Sequence, residues 1–80
     1  MRLDKFLKVA RIIKRRTLAK EVCDSGRIKI NGNTAKAGSL VKPGDILEIG
    51  FGERQSRYQI MQVAENVRAD AAKDMYKELN

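Results

Sequence analysis

Eighty residues make at most one small domain, and a chain of this length buries only about 60 % of the surface its unfolded form exposes. The length excludes a multidomain enzyme, and hydrophobic residues at 42 % with charged residues at 34 % supply a modest core under a heavily charged surface, too much apolar material for a disordered chain. The formal charge is +7, and with no His and a single Cys, Cys23, the chain cannot build a Cys/His zinc cluster, an internal disulfide or a nucleophile that leans on imidazole.

Leu3, Phe6, Leu7, Ala10 and Ile13 recur at the spacing of one helical face, with Lys5 and Lys8 on the opposite side. They predict an amphipathic helix with a basic back. Asp4 falls in its first turn, where a carboxylate favours the helix dipole, so a helix-start role explains it at least as well as a contact role. The stretch Arg11–Arg16 breaks the rhythm. Leu18, Ala19, Val22 and Cys23 then define a second helix, stopped by Gly26 after Ser25, with Cys23 in the core. Thr17 can cap this helix, or Arg15 and Arg16 can already lie in its first turn; both readings set these arginines at the junction of two helices.

From Arg27 the period changes to two, and Asn31-Gly32 is a preferred pair for a tight hairpin turn. Lys42-Pro43-Gly44-Asp45 has the residues of a type II turn. Ile46–Phe51 alternates, with Leu47, Ile49 and Phe51 on one face, and after the turn Gly52–Gln55 the stretch Arg57–Val63 reads as its partner strand. Val67, Ala71, Met75 and Leu79, four apart, predict a C-terminal helix, with Tyr76 extending its apolar face. The expectation is a single α+β domain over 1–80: two N-terminal helices packed on a small antiparallel sheet, plus a C-terminal helix. Residues 1–51 hold the core motifs, 52–66 complete the hairpin and 67–80 form the helix.

Residues 1–30 carry ten basic and three acidic side chains, whereas residues 31–80 are balanced at seven of each. The whole excess therefore lies in the two-helix segment and the strand after it. Crowding ten cations this way costs stability unless a polyanion offsets their repulsion, which favours a binding role over a merely solvated face.

Catalysis has no foothold in the sequence: acidic residues are scattered, glycines stand singly at breaks, and no nucleophile has a base. No metal or cofactor is expected. No apolar run exceeds two residues, far short of a membrane span or the apolar segment of a signal peptide, and a lone thiol suits the cytoplasm. Arg2, Arg11, Arg15 and Arg16 suit shaped recognition of phosphate, because the guanidinium fork binds it bidentately, while Lys5, Lys8, Lys14 and Lys20 supply field. With aromatic residues at 5 %, base stacking on a sheet is not the mode, and recognition should be of backbone and shape. A DNA-binding helix-turn-helix is a rival, but strands stand where its third helix should be.

Arg2-Leu3-Asp4-Lys5, Arg11, Arg16, Ala19, Gly26, Asn31-Gly32 and Pro43-Gly44-Asp45 resemble the RNA-binding domain named after ribosomal protein S-four, over about residues 1–51. The chain is similar to its short stand-alone bacterial members: the fifteen-kilodalton ribosome-associated heat-shock protein and, nearer in length and in Lys14–Lys20, the RqcP (YabO) group of ribosome-associated quality-control factors. The chain is expected to act as a monomer, and the resemblance implies binding to a large ribosomal subunit that still carries stalled peptidyl-tRNA. It implies contact with ribosomal RNA and tRNA, and support of C-terminal alanine tailing by an RqcH-like tail-elongation factor. Motif position implies that Arg2 and Arg16 are RNA contacts, with Lys5, Arg11, Lys14 and Arg15 beside them. An assembly or recycling factor of the same fold is the alternative. The chain departs from the family pattern at Arg15, often Ser or Thr, and at Ala37-Gly38, often Pro-Ser.

Overall fold

A computed structural model of the chain describes residues 1–79, apart from the side chain of Phe51. The order is α1 (Leu3–Val9), α2 (Arg16–Asp24), β1 (Ile28–Ile30), β2 (Asn33–Thr34), β3 (Ile46–Phe51), β4 (Arg54–Ile60), α3 (Ala69–Ala72), a 3-10 turn (Lys73–Met75) and β5 (Tyr76–Glu78). The five strands form one antiparallel sheet in the order β2-β1-β3-β4-β5. Leu3, Phe6 and Leu7 of α1, Ala19 and Cys23 of α2 and Ile28, Leu47 and Ile49 of the sheet are fully buried together. Burial of these side chains, each worth about 1.5–3 kcal/mol for the larger ones, holds the two helices on the sheet.

The expected first helix is shorter than its apolar stripe. It ends at Val9 because Arg11 adopts φ 60°, the left-handed conformation. Arg11 N–H donates to Lys8 C=O at 3.1 Å and Ile12 N–H to Leu7 C=O at 3.0 Å, the paired bonds of a Schellman cap with an arginine where glycine is usual. Ala10 and Ile13 are buried, as their spacing suggests, but from the turn rather than from the helix. Arg15, in an extended conformation, is the N-cap of α2 with no side-chain cap bond, so Arg16 and Thr17 open the helix and Thr17 does not cap it.

Asn31 and Gly32, at φ 51° and 87°, make the tight turn between β1 and β2, where both central residues need positive φ. Gly44, at φ 95°, and the 3.2 Å bond from Asp45 N–H to Lys42 C=O close the second predicted turn. Asn31 also bridges the two: its amide donates to Asp45 Oδ1 at 3.0 Å and its carbonyl oxygen accepts from Ile46 N–H at 2.9 Å. Asp45 is buried, which pushes its carboxyl up, yet Asn31 and Lys42 bind it strongly enough to hold it below the usual range.

Two expectations are corrected toward the C-terminus. The strand after β3 spans Arg54–Ile60 rather than Arg57–Val63, because a two-residue turn brings Arg54 directly opposite Phe51. Leu47 and Ile49 share a buried face as expected; the placement of the Phe51 side chain with them lies outside the described residues. The C-terminal helix exists but covers only Ala69–Ala72, and residues 76–78 form a strand instead. The open edge of β4 decides this: Tyr58, Gln59 and Ile60 pair with Glu78, Lys77 and Tyr76, and the two tyrosine rings meet edge to face at 5.3 Å. Tyr76 therefore packs on Tyr58 rather than extending a helical face, and Met75 is fully buried at the joint.

Candidate nucleic-acid interface

The segment before α1 runs extended along residues 37–41, with an antiparallel bridge between Arg2 and Leu40. Leu3 N–H donates to Ser39 C=O at 2.7 Å, Val41 N–H to Met1 C=O at 2.9 Å and Asp4 N–H to Ala37 C=O at 3.2 Å. Asp24, at the end of α2, accepts from Ala37 N–H at 3.3 Å and ties the same loop to the second helix. This stitching buries Asp4 beneath Arg2 and Arg16.

Arg2 donates from Nε and Nη2 to the two oxygens of Asp4 at 3.1 and 3.2 Å, and Lys5 N–H donates to Oδ1 at 2.8 Å. Arg16 Nε stands 3.5 Å from Oδ2. Burial pushes the Asp4 carboxyl up, but the Arg2 hydrogen bonds, the Arg16 charge and the Lys5 N–H outweigh it and hold the group below the ordinary carboxylate range. Two arginines from different elements thus share one buried anion. Their side chains remain 50 % and 48 % exposed, which leaves guanidinium donors not committed to Asp4 accessible to groups such as phosphate oxygens.

A second group lies along α1 and the turn after it. Lys5 pairs with Glu65, sixty residues away. Lys8, Arg11 and Lys14 surround a cleft whose far wall is residues 65–67. Arg15 is exposed at the start of α2, and like Lys8, Arg11 and Lys14 it forms no ion pair among the described residues. Lys20 follows Arg16 by one turn of α2 and lines a shallow depression with Thr17, Glu21 and Asp24, where the adjacent charge is negative.

Charge counting passes over three contributors. Asp4 holds the arginine pair; its signal is an acid three residues before Leu7, on the apolar side of a helix. The loop 36–41 supports Arg2 and leaves Leu40 73 % exposed beside it. Residues 65–67 wall the cleft and carry no basic pattern at all. Cys23 is buried, and burial first, then Asp4 and Asp24, push its thiol up to about 11, which keeps it protonated and unreactive. Among the described residues, no group of three or more His, Cys, Asp or Glu could hold a metal ion, and no helix is long and apolar enough to cross a membrane.

The family model described as the S4 domain matches residues 1–47. The chain belongs to the S4 domain family. The S4 match takes in α1, α2, the first hairpin and all eight basic residues singled out above, while most of β3 and everything after it lies beyond the match. Within the family, the chain is 60 % identical over 77 residues to the RQC P-site tRNA stabilizing factor of Halalkalibacterium halodurans, covering 96 % of this chain and 88 % of that one. It is 58 % identical over 76 residues to the protein of the same name from Bacillus subtilis, covering 95 % and 88 %. Among solved structures, heat shock protein 15 of Vibrio cholerae, described as trimeric, superposes with a TM-score of 0.88 at 32 % identity over 98 % of this chain and 80 % of that one.

Proposed function

We propose that this S4 protein is a non-catalytic, cytoplasmic RNA-binding factor of the large ribosomal subunit that stabilises a stalled peptidyl-tRNA by touching tRNA and ribosomal RNA together. In doing so it supports C-terminal alanine tailing by an RqcH-like tail-elongation factor. The observation that carries the reading is the pair Arg2 and Arg16, held side by side on buried Asp4 with half of each side chain exposed. High identity over nearly the whole chain to proteins named P-site tRNA stabilizing factors supports the ribosomal setting.

Arg2 and Arg16 take phosphate oxygens as a pair, Lys5, Lys8, Arg11, Lys14 and Arg15 extend the surface, and Lys20 adds field from α2. A ligand shifts an equilibrium only by its difference in affinity between the two states, so the factor must contact both tRNA and ribosomal RNA to favour one tRNA position. No bond is made or broken. Co-sedimentation with purified large subunits, with and without peptidyl-tRNA, tests this. Arg16→Ala should lose on the order of 1.5–3 kcal/mol of binding, as for a charge-assisted contact, and should still fold, though it unfolds more readily than the parent because buried Asp4 keeps only the Arg2 cation. Equal retention of the unaltered protein on stalled subunits, free subunits and duplex DNA would overturn the reading.

A further inference from the structure

The cleft at the end of α1 has a volume of about 300 Å³, with Lys8, Arg11 and Lys14 on one side, Glu65, Asn66 and Val67 on the other, and Val9 also on its wall. Its far wall is anchored: Glu65 pairs with Lys5, and Val63, Ala64 and Val67 pack against the core. Its near wall turns on Arg11, whose left-handed backbone would suit glycine better, so the long cation stands there at a cost to the backbone.

Its chemistry is mixed. Three cations face one carboxylate already engaged by Lys5, one neutral amide that both donates and accepts, and the surfaces of two valines. A bare phosphate would use the cations and leave the amide and valines without a role. A nucleotide in a duplex would present phosphate too, but its base edge is paired and its faces are stacked. An unpaired nucleotide has a part for each wall: phosphate for the cations, ring face for the valines, base edge for the amide.

We propose that this cleft receives a single unpaired nucleotide of RNA, with its phosphate on Lys8, Arg11 and Lys14 and its base against Val9, Val67 and the Asn66 amide. The proposal rests on the RNA-binding reading above and adds to it a seat for one base. Sequence readout at one position then sits beside the shape readout by Arg2 and Arg16.

Titration of isotope-labelled protein with each nucleoside 5′-monophosphate, with ribose 5-phosphate and with inorganic phosphate, followed by amide NMR, tests it. At least one nucleotide should give saturable shifts of the Val9, Arg11, Asn66 and Val67 amides, about tenfold tighter than either base-free probe. Asn66→Ala, an exposed position, should lose that preference while its unfolding midpoint stays put. Equal affinity for phosphate and nucleotides, shifts spread over Arg2, Arg15 and Arg16, no response to any nucleotide, or an unchanged preference in Asn66→Ala would each overturn it. These failures are separable from failure of the ribosomal reading, which shows as loss of subunit selectivity by the unaltered protein.

Discussion

A carboxylate sealed against a hydrophobic core stays ionised only where cations and N–H groups compensate its lost hydration, and around Asp4 they come from Arg2, Arg16 and Lys5. Its folded-state pKa lies below the ordinary 3.8, so as pH falls the unfolded chain takes up the proton first. The stabilisation is fully present above the ordinary value and is lost as pH falls through the lowered one; Asp45 acts in the same sense. Asp4→Asn should cost roughly 1–3 kcal/mol in urea unfolding at pH 7, toward the low end because both arginines are half exposed, and the gap from the parent should narrow at pH 3. Subunit binding should weaken too, since the arginines lose the anchor that aligns them. Arg11 makes the opposite trade. Arg11→Gly relieves a left-handed residue, worth roughly 1–2 kcal/mol, against a backbone-entropy cost of roughly 0.5–1 kcal/mol. Thermal unfolding should show a fold as stable as the parent or more so, while co-sedimentation shows weaker binding; a plainly destabilised Arg11→Gly would mean that its side chain serves the fold.

At the scale of elements, what could be read from the sequence was what local chemistry decides. Asn31-Gly32 and Pro43-Gly44 state their turns because few residues tolerate those backbone angles, and Leu3, Phe6 and Leu7 state a buried helical face. The basic surface was legible as composition, but not its organisation: Arg2 meets Arg16 only because α1 and α2 pack together and Asp4 lies between them. The C-terminal segment misleads for the same reason. Val67, Ala71, Met75 and Leu79 have helical spacing, yet the decisive partner is the edge of β4, 16 to 20 residues earlier in the chain, and no local pattern announces it. Met75 should be the keystone of this addition. Met75→Ala should cost about 2–4 kcal/mol, whereas Leu79→Ala, at a side chain 38 % exposed, should cost well under half of that; paired denaturant midpoints would check the contrast.

For the molecule as a whole, the excess charge is confined to its first thirty residues, and the longest dimension is 29 Å, nearly three screening lengths at about 0.1 M salt. RNA docked as proposed on the α1–α2 face should respond mainly to the charges near it, Glu65 among them, and little to those a screening length or more away. Binding should weaken steeply with salt, each neutralised phosphate contributing about 0.7–0.9 to the slope of log affinity against log salt. If Arg2 and Arg16 each take a phosphate, the double variant Arg2→Ala/Arg16→Ala should lower that slope by about 1.4–1.8 as well as weakening binding at every salt concentration. Because both arginines neutralise buried Asp4, the double variant should unfold more readily in either case; should they serve only that purpose, its slope would stay that of the parent. A salt series of large-subunit binding, run beside urea unfolding of the same two proteins, separates the cases, because phosphate contact changes the slope and a purely internal ion pair does not.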